Sequence, residues 1–235
     1  MVWERDVTVE NIRCRVVISD EEDALLAAKA AGRVIVGYLG ENRKGSFPMA
    51  RYLTETMEAV DDKYLERVVR REKGLPWIIG ESRRLRLREF ILEDIGQIPA
   101  EPGDGDADRV FRDREKLAAY IRGQYIFHEY GLWAVERKED RRILGKAGLT
   151  DCDEEGRPEL GYHIFAPYRR QGYGEEACRL VLDYVREEYG PVGVTAVTEA
   201  LNGASAGLLQ KLGFRFRDSE CNGARHRYDL GGSCY

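Results

Sequence analysis

Residues 161–185, GYHIFAPYRRQGYGEEACRLVLDYV, hold the pattern with the clearest chemistry in the chain. They read as a strand, then the loop Arg169-Arg170-Gln171-Gly172-Tyr173-Gly174, then a helix. Glycines at the end of such a loop let backbone N–H groups turn toward an anion, and the helix that follows adds the positive end of its dipole. That combination is a cradle for a pyrophosphate.

The elements needed to hold the cradle follow from the hydropathy pattern. From Arg84, LRLREF alternates as a half-buried strand, with a helix beginning near Leu92-Glu93-Asp94. PAEPGDGDADR, residues 99–109, has the Pro, Gly and Asp content of a loop. An amphipathic helix from Asp113 to Tyr125 and a strand from Leu132 to Glu136 come next. The charged turn Arg137 to Arg141 then leads to a strand from Ile143 to Leu149, an antiparallel hairpin. After the polar loop Thr150 to Pro158 come a strand Glu159 to Phe165, the glycine loop, a helix Glu175 to Tyr189 and a strand Val192 to Thr198. A short helix Ala204 to Leu212 precedes two last strands, Phe214 to Arg217 and His226 to Leu230. The order is βααβββαβαββ, an α/β arrangement. Upstream, a β-rich run Val16 to Ile18, a helix Asp23 to Ala31 closed by Gly32, and a run Val34 to Leu39 make one βαβ unit. A helix-like stretch Phe47 to Lys73 ends at Gly74-Leu75-Pro76. Two domains are expected, a small α/β module over residues 1–80 and a larger one over residues 81–235.

Two nucleotide-bearing ligands fit the cradle, because Gly172-x-Gly174-x-x-Ala177 also satisfies the GxGxxG/A fingerprint of Rossmann sites. In a Rossmann unit the first glycine directly follows the opening strand. Here Ala166 to Gln171 intervene and mainly antiparallel strands precede the motif, so an NAD-binding enzyme is the weaker reading. Composition narrows the field further. With 37 Lys+Arg against 42 Asp+Glu the net charge is -5, without the basic excess of a protein that neutralises phosphates, so no nucleic-acid partner is expected. No apolar run is long enough to span a bilayer, and MVWERDVTVE lacks the basic-then-apolar pattern of a signal peptide, so a cytoplasmic protein with no membrane partner is expected. The five cysteines contain no CxxC pair and read as reduced thiols. His128, His163 and His226 have no metal-site spacing, and no metal is proposed.

At the glycine loop the chain resembles the GNAT N-acetyltransferases, whose signature Q/R-x-x-G-x-G/A is met by Arg169, Gly172 and Gly174. Asn202-x-x-Ser205 and the ending Lys211-Leu212-Gly213-Phe214 extend the match, which looks like the ribosomal-protein N-acetyltransferase branch from about Arg84 to Leu230. The resemblance implies a GNAT-type mixed, mostly antiparallel sheet flanked by helices, with acetyl-CoA as cosubstrate. It implies one strand splayed from its neighbour, with the pantetheine arm in the opening against the backbone of His163, Ile164 and Phe165. The pyrophosphate would lie on the N–H groups of Gln171, Gly172, Tyr173 and Gly174, Arg169 or Arg170 would offer charge, and Asn202 would contact the arm from the other side. The acceptor would be a primary amine of a small molecule or of a peptide or protein N-terminus. An alkyl amine is mostly protonated at pH 7, so acetyl transfer wants a base. Glu159, at the head of the strand bordering the thioester, is the candidate. The tyrosine that many members place four residues before the glycine of the GF ending is Leu209 here, which leaves Ser205 as the hydroxyl able to donate to the leaving thiolate.

Leu209 also keeps open a catalytically silent acetyl-CoA-binding regulator. The segment ISDEEDALLAAKAAGRVIVGY resembles that around the fourth motif of haloacid dehalogenase-type hydrolases, with Asp20 on its first acidic position. Ala24 stands at the second, and the DxD nucleophile strand has no counterpart upstream, so the module is expected to be a non-catalytic remnant that packs on the transferase or mediates association. A homodimer is among the allowed states. Trp133 and Tyr162 read as core, and the acidic residues Glu101, Asp104, Asp106 and Asp108 as a solvated turn.

Overall fold

The computed structural model describes residues 1–40, 46–102 and 105–231 and divides into two compact units, Met1–Trp77 and Ile78–Tyr235. In the first, β1 (Val2–Val9) and β2 (Ile12–Ser19) form an antiparallel hairpin, followed by α1 (Glu22–Ala30), β3 (Val34–Tyr38), β4 (Leu53–Thr54) and α2 (Asp62–Glu72). The sheet order is β1-β2-β3-β4, with β2, β3 and β4 parallel. β2 buries Val16, Val17 and Ile18 in succession, as an interior strand should. α1 closes with Gly32 at φ +72°, where its N–H reaches the Lys29 carbonyl and the Arg33 N–H that of Ala28, a left-handed cap.

The long helix expected over Phe47 to Lys73 is a misreading. Only its last part is helical, because the Thr54 hydroxyl donates to the Thr56 carbonyl and the Thr56 hydroxyl accepts from the Ala59 N–H. Such local bonds give the backbone an alternative to a helix. Asp61 then starts α2 by accepting from the Tyr64 N–H.

The second unit adds β5 (Ile78–Glu81), β6 (Leu85–Arg88), a 3-10 turn at Leu92–Gln97, α3 (Asp106–Arg109), α4 (Arg114–Tyr120), β7 (Leu132–Arg137) and β8 (Ile143–Cys152). There follow β9 (Pro158–Ile164), α5 (Tyr173–Tyr189), β10 (Val194–Glu199), α6 (Gly203–Lys211), β11 (Arg215–Glu220) and β12 (Arg225–Leu230). The eight strands lie in the order β11-β12-β10-β9-β8-β7-β6-β5, antiparallel except for β9 and β10. This is the mixed, mostly antiparallel sheet expected, and it contradicts the Rossmann reading: β9 pairs antiparallel with β8 along its length, while its parallel neighbour β10 meets it at one residue pair.

Two expected helices differ. Near Leu92 there is one 3-10 turn, because Asp94 accepts from the Ile91 N–H and closes it. The helix expected to run from Asp113 to Tyr125 is α-helical only to Tyr120 and continues as a π-helix over Ile121–His128. The Leu132 N–H donates to the Tyr120 hydroxyl at 2.6 Å and the Tyr125 hydroxyl donates to the Leu132 carbonyl at 2.5 Å, so both backbone polar groups of one residue of β7 fix that wider turn. α5 buries Ala177, Cys178, Val181, Tyr184 and Val185, the helical stripe that faces the sheet, and Trp133 packs on Tyr184 at 4.8 Å.

Candidate active site

The start of α5 has no side-chain cap. Its N-cap is Gly172 at φ +82°, a conformation natural to glycine, and the first hydrogen bond of the helix runs from the Glu176 N–H to the Gly172 carbonyl. Helix geometry leaves the Tyr173, Gly174 and Glu175 N–H groups without partners inside the helix. Arg84, in the turn between β5 and β6, holds this start in place. Its Nε donates to Glu176 at 2.7 Å, a terminal nitrogen donates to the Gln171 carbonyl at 3.1 Å, and the guanidinium stacks on Tyr173 at 4.4 Å. A Cβ on Gly172 would stand 3.3 Å from that guanidinium, and one on Gly174 would stand 3.4 Å from Leu208 and 3.5 Å from Ile164. Arg170 is exposed at φ +62°, and the Gln171 side chain donates to the Pro167 carbonyl.

Below that loop the sheet opens. β9 and β10 pair through Glu159 and Thr195, and no further register pair joins them among the described residues. The two strands therefore diverge from Glu159 toward the glycine loop. The Phe165 N–H donates to the Leu144 carbonyl of β8, so it faces away from the opening. The Ile164 carbonyl accepts from Arg169 Nε at 2.7 Å. Arg169 is held from a second side by Glu101, 2.9 Å away, and the same carboxylate meets His163 Nε2 at 2.5 Å and accepts from the Ala166 N–H at 2.6 Å. Glu101 is thus no solvated turn residue, its side chain being 9% exposed. Burial works to raise its pKa, but the Ala166 N–H, His163 and Arg169 together outweigh it and hold the carboxyl below the usual glutamate range. Asp108 likewise pairs with Lys146 of β8, and Asp104 lies outside the described residues.

Alternation along β9 divides the remaining candidates between its two faces. Glu159 is half-buried, with Thr150 Oγ1 at 3.3 Å from its carboxylate, on the face that His163 shares. Tyr162 leaves the other face, where its hydroxyl meets Ser205 Oγ of α6 at 2.7 Å. Burial pushes the Tyr162 phenol up to about 12, a shift the Ser205 hydrogen bond opposes. The expectation of Tyr162 as plain core therefore needs amending, whereas Trp133 is core at 1% exposure. Asn202 caps α6, its Oδ1 accepting from the Ser205 N–H at 3.0 Å. Leu209 is buried. Arg84 is not among the sequence candidates, and Glu101 and Tyr162 read there as a solvated turn residue and as core. The first two act through partners distant in sequence, and the third looks like any strand aromatic.

Residues 84–215, more than half of the chain, match the family described as Acetyltransferase (GNAT) domain, and the chain belongs to that family. It is 34% identical over 83 residues to the uncharacterized N-acetyltransferase YjdG of Bacillus subtilis (strain 168), a match covering 35% of this chain and 49% of YjdG. The chain thus spans about half the length of this curated relative. Among solved structures, the ribosomal-protein-S5-alanine acetyltransferase of Vibrio fischeri superposes with a TM-score of 0.53 at 17% identity, over 67% of this chain and 97% of that one. RimL, a ribosomal L7/L12 alpha-N-protein acetyltransferase solved with coenzyme A, gives 0.53 at 13% identity, over 66% and 98%. At such identities the likeness is one of fold. Among the described residues no helix is long and apolar enough to cross a membrane, and no group of His, Cys, Asp and Glu is arranged to hold a metal ion.

Proposed function

We propose that the protein transfers the acetyl group of acetyl-CoA to a primary amine, of a small molecule or of a peptide or protein N-terminus, by direct attack. The observation that carries this reading is the opening between β9 and β10, which leads to an α5 start whose first N–H groups have no partner inside the helix and no side-chain cap. A pyrophosphate suits such a helix start, with Gly172 and Gly174 allowing close approach and Arg170 exposed beside it. Arg169, already engaged by Glu101 and Ile164, would serve to shape the loop unless acetyl-CoA displaces Glu101. The strand edge of β9 turned to β10 would hold the pantetheine, and Asn202 would border it from the α6 side. When bound, acetyl-CoA supplies an acyl group activated as a thioester.

Glu159 acts as base for the amine, directly or through a water, from the face of β9 opposite Tyr162. The small N-terminal unit takes no part in the chemistry. Incubation with acetyl-CoA and a pooled panel of primary amines and short peptides, read by mass spectrometry, tests the proposal. Products heavier by one acetyl group are expected. Tight acetyl-CoA binding without any acetylated product would instead favour the silent regulator, the reading that buried Leu209 at the usual tyrosine position supports.

A further inference from the structure

Tyr162 is the one hydroxyl-bearing side chain that reaches from β9 to α6 at the point where β9 and β10 have parted. Its phenol meets Ser205 Oγ at 2.7 Å, where either hydroxyl can be the donor, and donates over a long 3.5 Å to the Ser205 carbonyl. The ring is half-buried, and Cys178 of α5, itself buried with its thiol pKa raised by burial, adds to the upward shift of the phenol. A phenol has one proton to give and can accept in turn. When Ser205 donates to it, only the long contact to the Ser205 carbonyl competes for the Tyr162 proton, which can turn toward the opening instead. Burial raises the phenol to about 12, so it stays a neutral donor throughout the physiological range.

Resting on the proposed acetyl-CoA reading, we infer that Tyr162 is the hydrogen-bond donor to the leaving sulfur, supplied from β9 in place of the hydroxyl that α6 lacks at Leu209, with Ser205 orienting it. The balance is simple. The amine lone pair forms the N–C bond and its excess proton passes to Glu159, while the C–S bond breaks with its electron pair on sulfur. The Tyr162 O–H bond stabilises that charge without giving up its proton, and the thiolate, with an ordinary thiol pKa of about 8.5, takes a proton from solvent.

The thiol of bound CoA reports this contact without any acceptor amine. A hydrogen bond to the thiolate favours the charged form, so the bound thiol should titrate at least about one unit below free CoA. The intact chain saturated with CoA is followed by ultraviolet thiolate absorbance across pH, for wild type, Tyr162→Phe and Ser205→Ala. Tyr162→Phe should return the thiol to near its free value, and Ser205→Ala should move it part of the way. Tyr162→Phe should also leave the calorimetric affinity for CoA within about threefold of wild type. An unshifted thiol in the wild-type complex, or a shift that survives in Tyr162→Phe, overturns the inference, and the wild-type result decides even if the variant fails to fold. Absence of CoA binding to the wild type is a different failure, that of the acetyl-CoA reading itself.

Discussion

Glu101 shows how much of a site can rest on a residue with no local motif. Its partners His163 and Arg169 lie 62 and 68 positions away, and only the return of the chain over the end of β9 brings them together. Because its pKa is depressed in the fold, its contribution is present above the unfolded value of about 4.3 and is lost as pH falls through the lower folded value. Hydrogen exchange at the Ala166 amide should therefore accelerate on acidification below about pH 4, and Glu101→Gln should show that acceleration already at neutral pH. Protection of Ala166 unchanged in the variant would mean that the carboxylate does not hold the loop. Glu159 carries the chemical prediction. Glu159→Gln should preserve acetyl-CoA affinity and lower turnover by about 10²-fold near neutral pH, with part of the rate recovered at high pH where the amine loses its own proton. Full activity at every pH would assign the proton to solvent or to another group. At this scale the glycine turn into α5 was legible in the sequence, since Gly172 sits at φ +82°, a conformation that favours glycine. The pairing of Tyr162 with Ser205 was not, because strand periodicity gives a face and no partner.

Element boundaries were legible where periodicity is local and lost where tertiary contacts overrule it. The sheet strands from β6 to β12 and α5 and α6 fall within a few residues of the hydropathy pattern. β1 was passed over because it is an edge strand that buries little and pairs charges across the hairpin, Arg13 and Arg15 with Asp6 and Arg15 with Glu4. Its turn, Glu10-Asn11 with both φ positive, fits a two-residue hairpin without the usual glycine. The π-helix after α4 has no sequence signature, since the Tyr120 and Tyr125 hydroxyls impose it from β7. The tie that fixes β6 to the 3-10 turn and to β7 is a buried cluster. Arg88 donates to Asp94 at 2.8 and 2.9 Å and to Glu136 at 2.7 Å. Arg88→Met leaves buried Asp94 without its cation and Glu136 with only Arg86 at 3.4 Å, and should cost about 3–5 kcal/mol in chemical denaturation. A loss below about 1 kcal/mol, the range of an exposed pair, would show that water reaches the cluster.

Each of the two units has its own core. Val17, Leu25, Ala28, Ile35 and Phe47 form one, while the larger unit centres on residues such as Trp133, Tyr125, Phe90 and Leu117. Leu25→Ala should therefore destabilise the first unit by about 2–5 kcal/mol and leave CoA binding unchanged. A parallel loss of CoA affinity would mean that the first unit supports the site. Asp20 pairs with the Met1 ammonium at the surface, and we expect no phosphatase activity from this unit. Phosphate release that disappears in Asp20→Asn would contradict that. The central claim is that the α5 start receives the pyrophosphate of acetyl-CoA. Calorimetric titration of the intact protein with acetyl-CoA, in wild type and in Gly172→Val, tests it most directly. Saturable binding at one site per chain is predicted, reduced at least tenfold in a folded Gly172→Val variant, whose side chain would meet a positive φ and crowd Arg84. Undiminished affinity in that folded variant, or no binding to the wild type, would contradict it.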